Sequence, residues 1–247
     1  MKKINALIIS VLMLSLNVTM EAQLTGDEIL NRIDRNLSSE TRYYEAKMII
    51  HGNRSSRTIE FNSWSEGDTK AFTEYTNPPR EQGTKMLKLE DQLWIYSPGT
   101  DRTIQITGHM LKQSVMGSDL SYEDMMEDTK LTENYDSDLA GIEYYNDTEC
   151  YVVDLVANNP DIAYQMRKIW VDKKRYVPLK EELYAKSGKL LKRTELSMIE
   201  QVEGRWYPRK IVFKDVLKRG DGTEFIVDKI DFNIDIPEYL MSKASLR

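Results

Sequence analysis

Apolar and polar residues alternate along most of this chain. Tyr44, Ala46, Met48 and Ile50 interleave with Glu45 and Lys47, and Ile59 and Phe61 interleave with Thr58, Glu60 and Asn62. Leu93 and Ile95 alternate with Trp94 and Tyr96, and Ile104 and Ile106 with Thr103 and Gln105. The same period returns at 151–155, 164–171, 179–184, 190–202, 210–217 and 223–232. A period of two is the signature of a strand, since successive side chains leave opposite faces of the backbone. Turn signals separate the runs: Glu66-Gly67-Asp68, Pro98-Gly99, Asn158-Asn159-Pro160, Ser187-Gly188, Glu203-Gly204 and Asp221-Gly222. Connections this short join antiparallel neighbours. The pattern therefore predicts a mainly β, α+β protein of about eleven strands, arranged as one large sheet curled on itself.

Two stretches break the period. Thr25 and Glu28 have the spacing of a capping box, and Ile29, Leu30, Ile33 and Leu37 share one helical face behind it. Between residues 110 and 127 the strand rhythm stops. Met110, Leu111, Val115 and Met116 form an apolar patch, and Ser121 stands as the cap of a turn holding Tyr122, Met125 and Met126. Several strands carry bulk on both faces, as Trp94 and Tyr96 oppose Leu93 and Ile95, and Trp170 opposes Ile169 and Val171. Both faces of such a sheet need a cover. The expected covers are the N-terminal helix and the 110–127 insert, the second as a lid over one mouth. No repeat and no low-complexity linker divides the chain, so residues 23–247 are expected to form one domain.

Residues 1–22 read as a cleavable secretory signal: Lys2 and Lys3 first, an apolar run from Ile4 to Leu16, then Ala22 before the cut. The apolar run is short for a membrane span. Removal leaves 225 of the 247 residues and shifts the net charge from −6 to −7, because Lys2, Lys3 and Glu21 leave with it. The expected destination is the periplasm. A balance of 34 basic against 40 acidic residues argues against nucleic acid as a partner. One cysteine, Cys150, excludes an intrachain disulfide and fits a buried strand thiol.

Catalytic chemistry is thinly represented. The nearest hydrolase material is Ser118 with His109, without a G-x-S-x-G elbow. His51 precedes Gly52-Asn53 and reads as a hairpin residue. Asp119, Glu123, Asp124, Glu127 and Asp128 lack the spacing of a calcium loop and read as a solvated helix face. Lys173-Lys174-Arg175 reads as a turn. No phosphate-cradling glycine motif occurs, and no cofactor or metal is expected. Twelve methionines are many for this length, and methionine suits adaptable apolar surfaces.

Three segments carry a resemblance: 77–87 (Asn77-Pro78-Pro79-Arg80-Glu81-Gln82-Gly83-Thr84 and Met86-Leu87), 93–98 (Leu93-Trp94-Ile95-Tyr96-Ser97-Pro98), and 117–125 (Gly117-Ser118-Asp119-Leu120-Ser121-Tyr122-Glu123-Asp124-Met125). Together they resemble the outer-membrane lipoprotein-sorting family of the LolA/LolB-like superfamily. The resemblance implies an incomplete antiparallel barrel closed by helices around an apolar cavity for acyl chains. It also implies a carrier that receives lipoproteins from an inner-membrane exporter and passes them to an outer-membrane acceptor. On that reading Met48, Phe61, Phe72, Leu87, Leu89 and Trp94 are cavity candidates, with Tyr96, Tyr151, Val153, Trp170, Phe213 and Phe225. Met110, Leu111, Met116, Met125 and Met126 are lid candidates. Such carriers hold their lid with an arginine, for which Arg54, Arg57, Arg80 and Arg102 are all available here. Two other functions fit the same residues: a lipid-ester hydrolase using that cavity, and a non-enzymatic accessory subunit of a membrane exporter.

Overall fold

A computed structural model describes residues 24–52, 55–127 and 130–247. The signal segment 1–22, Arg54 and Asp128 lie outside the described residues. Helix α1 (Gly26–Leu37) comes first. Strands β1 (Thr41–His51), β2 (Ser56–Glu66), β3 (Lys70–Asn77), β4 (Lys85–Leu89), β5 (Gln92–Ser97) and β6 (Arg102–Ile106) follow. After an irregular segment with two short helices, α2 (Tyr122–Met126) and α3 (Leu131–Asn134), come β7 (Tyr135–Tyr145), β8 (Thr148–Ala157), β9 (Met166–Asp172) and β10 (Pro178–Tyr184). Strands β11 (Leu190–Val202), β12 (Arg205–Asp215) and β13 (Thr223–Phe232) complete the sheet.

All thirteen strands belong to one antiparallel sheet in the order β6-β5-β4-β3-β2-β1-β13-β12-β11-β10-β9-β8-β7. Every neighbour is consecutive in sequence except the pair β1–β13, whose register runs from Arg42 opposite Phe232 to Ile50 opposite Thr223. The sheet is a meander joined at its two ends, with one seam left open between β6 and β7. It curls, because Met86 and Leu93 of one half and Arg167 and Lys192 of the other line a common cavity. The fold class matches the alternation pattern. The additional strands come mainly from β3, β4 and β7. Strand β7 is an edge strand with mostly exposed side chains, so its periodicity is weak. It is folded onto β8 by Asn146 and Asp147, both at positive φ, the backbone that a two-residue hairpin requires.

Helix α1 is built as its sequence dictates. The Glu28 amide donates to Thr25 Oγ1 at 3.2 Å, and the Glu28 carboxylate accepts the Thr25 amide at 2.9 Å. Ile29, Leu30 and Ile33 are fully buried against Val153, Leu155, Ile169 and Val171. The helix thus fills the β8–β9 end of the curled sheet from the inside. The Asn36 side chain donates to the carbonyls of Arg175 and Tyr176 and accepts from the Trp206 amide, which ties the helix to two further parts of the sheet.

Both covers expected from the sequence lie on the inner face. The outer face of β2–β5 has a different one. Phe72, Leu87 and Trp94 pack beneath Leu246, with Leu240 and Met241 beside it. These residues come from the C-terminal turns Glu238–Met241 and Lys243–Leu246. Lys85 Nζ donates to the Ser245 carbonyl at 2.9 Å, and Lys243 Nζ lies 4.0 Å from the centre of the Trp94 ring. Cys150 is buried between β7 and β9, and burial pushes its thiol up to about 11.

Two measurements check this packing. Ile33→Ala empties a fully enclosed site and should cost about 2–5 kcal/mol in urea-unfolding free energy. Cys150, held protonated at ordinary pH, should resist alkylation at pH 8 in the native protein and react fully in denaturant.

Candidate functional site

The open seam decides where the site is. The segment from Thr107 to Glu127 leaves β6 at one edge of the sheet and lies across the inner face as a lid before β7 begins at the other. Its first half forms 3-10 turns at Gly108–Lys112 and Val115–Gly117. A tight loop then brings the Val115 amide to the Leu120 carbonyl at 2.8 Å and pairs Ser114 with Ser121. Gly117 has φ +76°, a conformation that favours glycine.

The motif around this glycine is an anchor. Ser118 is fully buried, and its Oγ bonds both the amide and the carbonyl of Leu120. Asp119 reaches across to the sheet, where its carboxylate accepts the Asp215 amide at 3.0 Å and the Thr223 hydroxyl at 3.1 Å. Its own amide donates to Thr223 Oγ1 at 3.0 Å. Lys218 Nζ donates to the Ser118 carbonyl at 2.7 Å, and Arg57 donates to the Met116 carbonyl. Among the described residues, Arg57 is the one of the candidate arginines that bonds the lid.

Beyond the anchor, Ser121 starts α2. The Asp124 amide donates to Ser121 Oγ at 3.2 Å, and Ser121 Oγ donates back to Asp124 Oδ2 at 2.8 Å. The helix sets Tyr122, Met125 and Met126 against Met86, Leu93 and Ile106 of β4–β6. Its acidic residues turn to the opposite wall. Asp124 pairs with Lys192 of β11 and accepts the Tyr164 hydroxyl; Glu127 pairs with Arg167 of β9. Arg167 Nε also donates to the Tyr135 hydroxyl at 2.8 Å, and its guanidinium stands 3.9 Å from Glu181 of β10. Lys88 Nζ donates to the Met126 carbonyl at 2.8 Å. The lid is therefore tied at both ends, by hydrogen bonds at 116–119 and by charge pairs at 124–127.

The two cations are out of water: Arg167 is 7% and Lys192 8% exposed. Burial, the largest single influence, would lower the pKa of Arg167, but Glu127, Tyr135 and Glu181 together outweigh it and raise it. Burial raises Tyr164, with Asp124 adding to the effect, and burial raises Glu181 against the pull of Arg167. The acidic residues that the sequence suggested as a solvated face include three that are working contacts of the lid: Asp119, Asp124 and Glu127.

Under the lid is a cavity of about 320 Å³. Leu120 and Met125 form its roof, and Tyr44, Ile211, Phe213 and Phe225 its apolar wall. A polar belt crosses it, made by Ser63, Thr73 and Thr194 with the charged residues just described. Ser63 and Thr73 satisfy one another at 2.9 Å. On the far side of Tyr164 and Lys192 a second cleft of about 680 Å³ opens between the lid and the hairpin tips, and these two residues wall both spaces.

The cavity candidates from the sequence divide into three groups. Phe213 and Phe225 line the cavity, and Met48 and Phe61 pack with them in the adjoining cluster. Phe72, Leu87, Leu89, Trp94 and Tyr96 face the other side of the sheet, under the C-terminal turns. Trp170 is also on that side, packed with Cys150 and Val152. Tyr151 and Val153 lie on the inner face but in the cluster that α1 fills. The physical reason is parity. Strands with bulk on both faces offer no local signal for which face is inside, and one residue of slip reverses the assignment. Among the lid candidates, Met125 roofs the cavity, Met116 joins the cluster of Met48 and Phe61, and Met110, Leu111 and Met126 pack on β4–β6. Arg167, Glu181, Lys192 and Tyr164 were absent from the sequence reading, and nothing in their neighbourhoods marks them.

The hydrolase constellation does not assemble. Ser118 spends its hydroxyl on Leu120, His109 is exposed, and no hydrogen bond joins the two among the described residues. His51 sits at a hairpin, between Ser56 Oγ and Glu224 Oε1, each at 3.0 Å. No cluster of metal-ligating side chains occurs among the described residues.

A curled open sheet with an internal helix and a lid over an inner cavity defines a LolA-like fold. Three solved structures share it. An outer membrane lipoprotein-sorting domain from Vibrio parahaemolyticus matches with a TM-score of 0.77 at 24% identity, over 90% of this chain and 97% of that one. A DUF1329 family protein from Desulfovibrio piger matches with a TM-score of 0.81 at 23% identity, over 90% and 98%. A LolA superfamily protein from Nitrosomonas europaea matches with a TM-score of 0.76 at 22% identity, over 90% and 100%. No curated protein matches by sequence. A family model described as an uncharacterized protein matches residues 67–247, and the chain belongs to that family. The resemblance to lipoprotein-sorting proteins drawn from the motifs is borne out in the fold. No described helix is long and apolar enough to cross a membrane.

The anchor is open to test. Asp119→Ala strands a buried amide and a buried hydroxyl, and should cost about 1–3 kcal/mol in unfolding free energy. Hydrogen exchange should rise across 114–127 more than in the sheet.

Proposed function

We propose that this chain is a periplasmic carrier that shelters an acyl chain of a lipoprotein, or of a related lipid, beneath its lid and moves it toward the outer membrane. The observation that supports this reading is the lidded cavity with its wall of Tyr44, Ile211, Phe213 and Phe225. Acyl transport needs no catalytic group. Each buried methylene contributes on the order of 0.8 kcal/mol, so ten of them offset a large share of the cost of association, itself about 4–15 kcal/mol.

The cavity beneath the lid is at the small end of ligand pockets, which run roughly 300–1,000 Å³. Loading therefore involves the lid. Parting Asp124 from Lys192 and Tyr164 removes the partition between the cavity and the outer cleft, and the two spaces become one. The anchor at 117–119 stays on the sheet during this motion, so the lid swings from a fixed end. An inner-membrane exporter as donor and an outer-membrane acceptor complete the route, and residues 1–22 export the chain.

Native mass spectrometry of the protein isolated from its own envelope tests the proposal. The expected result is a one-to-one acylated species that is absent from a Phe225→Glu variant, which places a charge in the apolar wall. Protein that emerges empty, and that also takes up no fluorescent fatty acid in vitro, overturns the reading.

A further inference from the structure

Lys88, Arg167 and Lys192 are buried cations of the cavity lining, and for the last two the lid rather than the wall supplies most of the counter-charge. Lys192 pairs with Asp124, and Arg167 pairs with Glu127. The wall itself offers Arg167 the more distant Glu181, at 3.9 Å. Among the described residues, the ion pair of Lys192 is with the lid. When the lid lifts, Asp124 and Glu127 leave together, because one lies in the short helix α2 and the other is its C-cap. Two cations on a low-dielectric wall then share one carboxylate. A buried charge deprived of its partner is strongly unfavourable, so the open, loaded state requires a replacement anion at this spot.

On the reading that the cavity takes an acyl chain, we infer that Lys192 and Arg167 form an anion subsite within it. The subsite accepts the carboxylate or phosphate of an acyl ligand and is filled by Asp124 and Glu127 when the lid is closed. Tyr164, whose hydroxyl already donates to the Asp124 carboxylate, provides the same donor to the ligand. The Arg167 guanidinium is oriented for the task by the Tyr135 hydroxyl at 2.8 Å. The tail then points toward Phe213 and Phe225, which share the cavity with both cations. Ligand and lid compete for one pair of charges, so binding an anionic headgroup and releasing the lid are a single exchange.

The test compares ligands with matched tails. Calorimetric titration of the delipidated mature protein uses palmitate, palmitoyl lysophosphatidylglycerol and the neutral monopalmitoylglycerol. One or both anionic ligands should bind at least tenfold tighter than the neutral one, and the two arms separate carboxylate from phosphate recognition. Lys192→Gln should bring that ratio close to one, while Lys192→Arg preserves it. Asp124→Asn, which weakens the competitor and leaves the wall untouched, should tighten the anionic ligand several-fold. Equal binding of charged and neutral ligands to the unaltered protein overturns the subsite and leaves the carrier reading standing. Failure of all three ligands to bind overturns the carrier reading, and the subsite with it.

Discussion

A meander of thirteen strands with one missing pair explains the rest of this molecule. The pairing of β1 with β13 joins the first and last strands in the middle of the sheet, and it leaves β6 and β7 as the two edges, unpaired with one another. A curled sheet with such a gap has an apolar interior that water would enter. The segment linking β6 to β7 starts and finishes at the two lips of the gap, so chain connectivity alone delivers a cover to the place that needs one. Helix α1 fills one end of the interior and the lid closes the rest. A cavity survives because neither is large enough to pack the whole volume.

The interior is not uniformly apolar, and this bears on how a lid can hold and still let go. A lid packed only by Met125, Tyr122 and Leu120 would be held by contact area, which is hard to switch. Charge pairs behave differently. The attraction within Asp124–Lys192 and Glu127–Arg167 is offset by the desolvation of the four groups, so the net stabilisation is modest while the geometry is strict. Such contacts define one closed position without locking it. At the other end, Asp119 bonds both the Thr223 hydroxyl and the Asp215 amide and donates its own amide to Thr223, which suits a permanent attachment.

The outer face shows the same division of labour. Phe72, Leu87 and Trp94 form a core of their own beneath the C-terminal turns. Strands β3–β5 are thereby stiffened from outside, and the inner face is left free to be partly polar.

What the sequence determined was local. The two-residue period, the turn residues and the capping boxes at Thr25 and Ser121 depend on groups within a few positions of each other, and each was legible. So were the helix, the lid segment and the resemblance carried by 117–125. The choice of inner and outer face was not, because a strand apolar on both sides has no preferred parity until something covers it. The charge pairs of the lid were equally hidden. Asp124 and Lys192 stand 68 positions apart, and Glu127 and Arg167 stand 40 apart. Only the curling of the sheet brings those walls within reach, and a partner found through space leaves no mark along the chain.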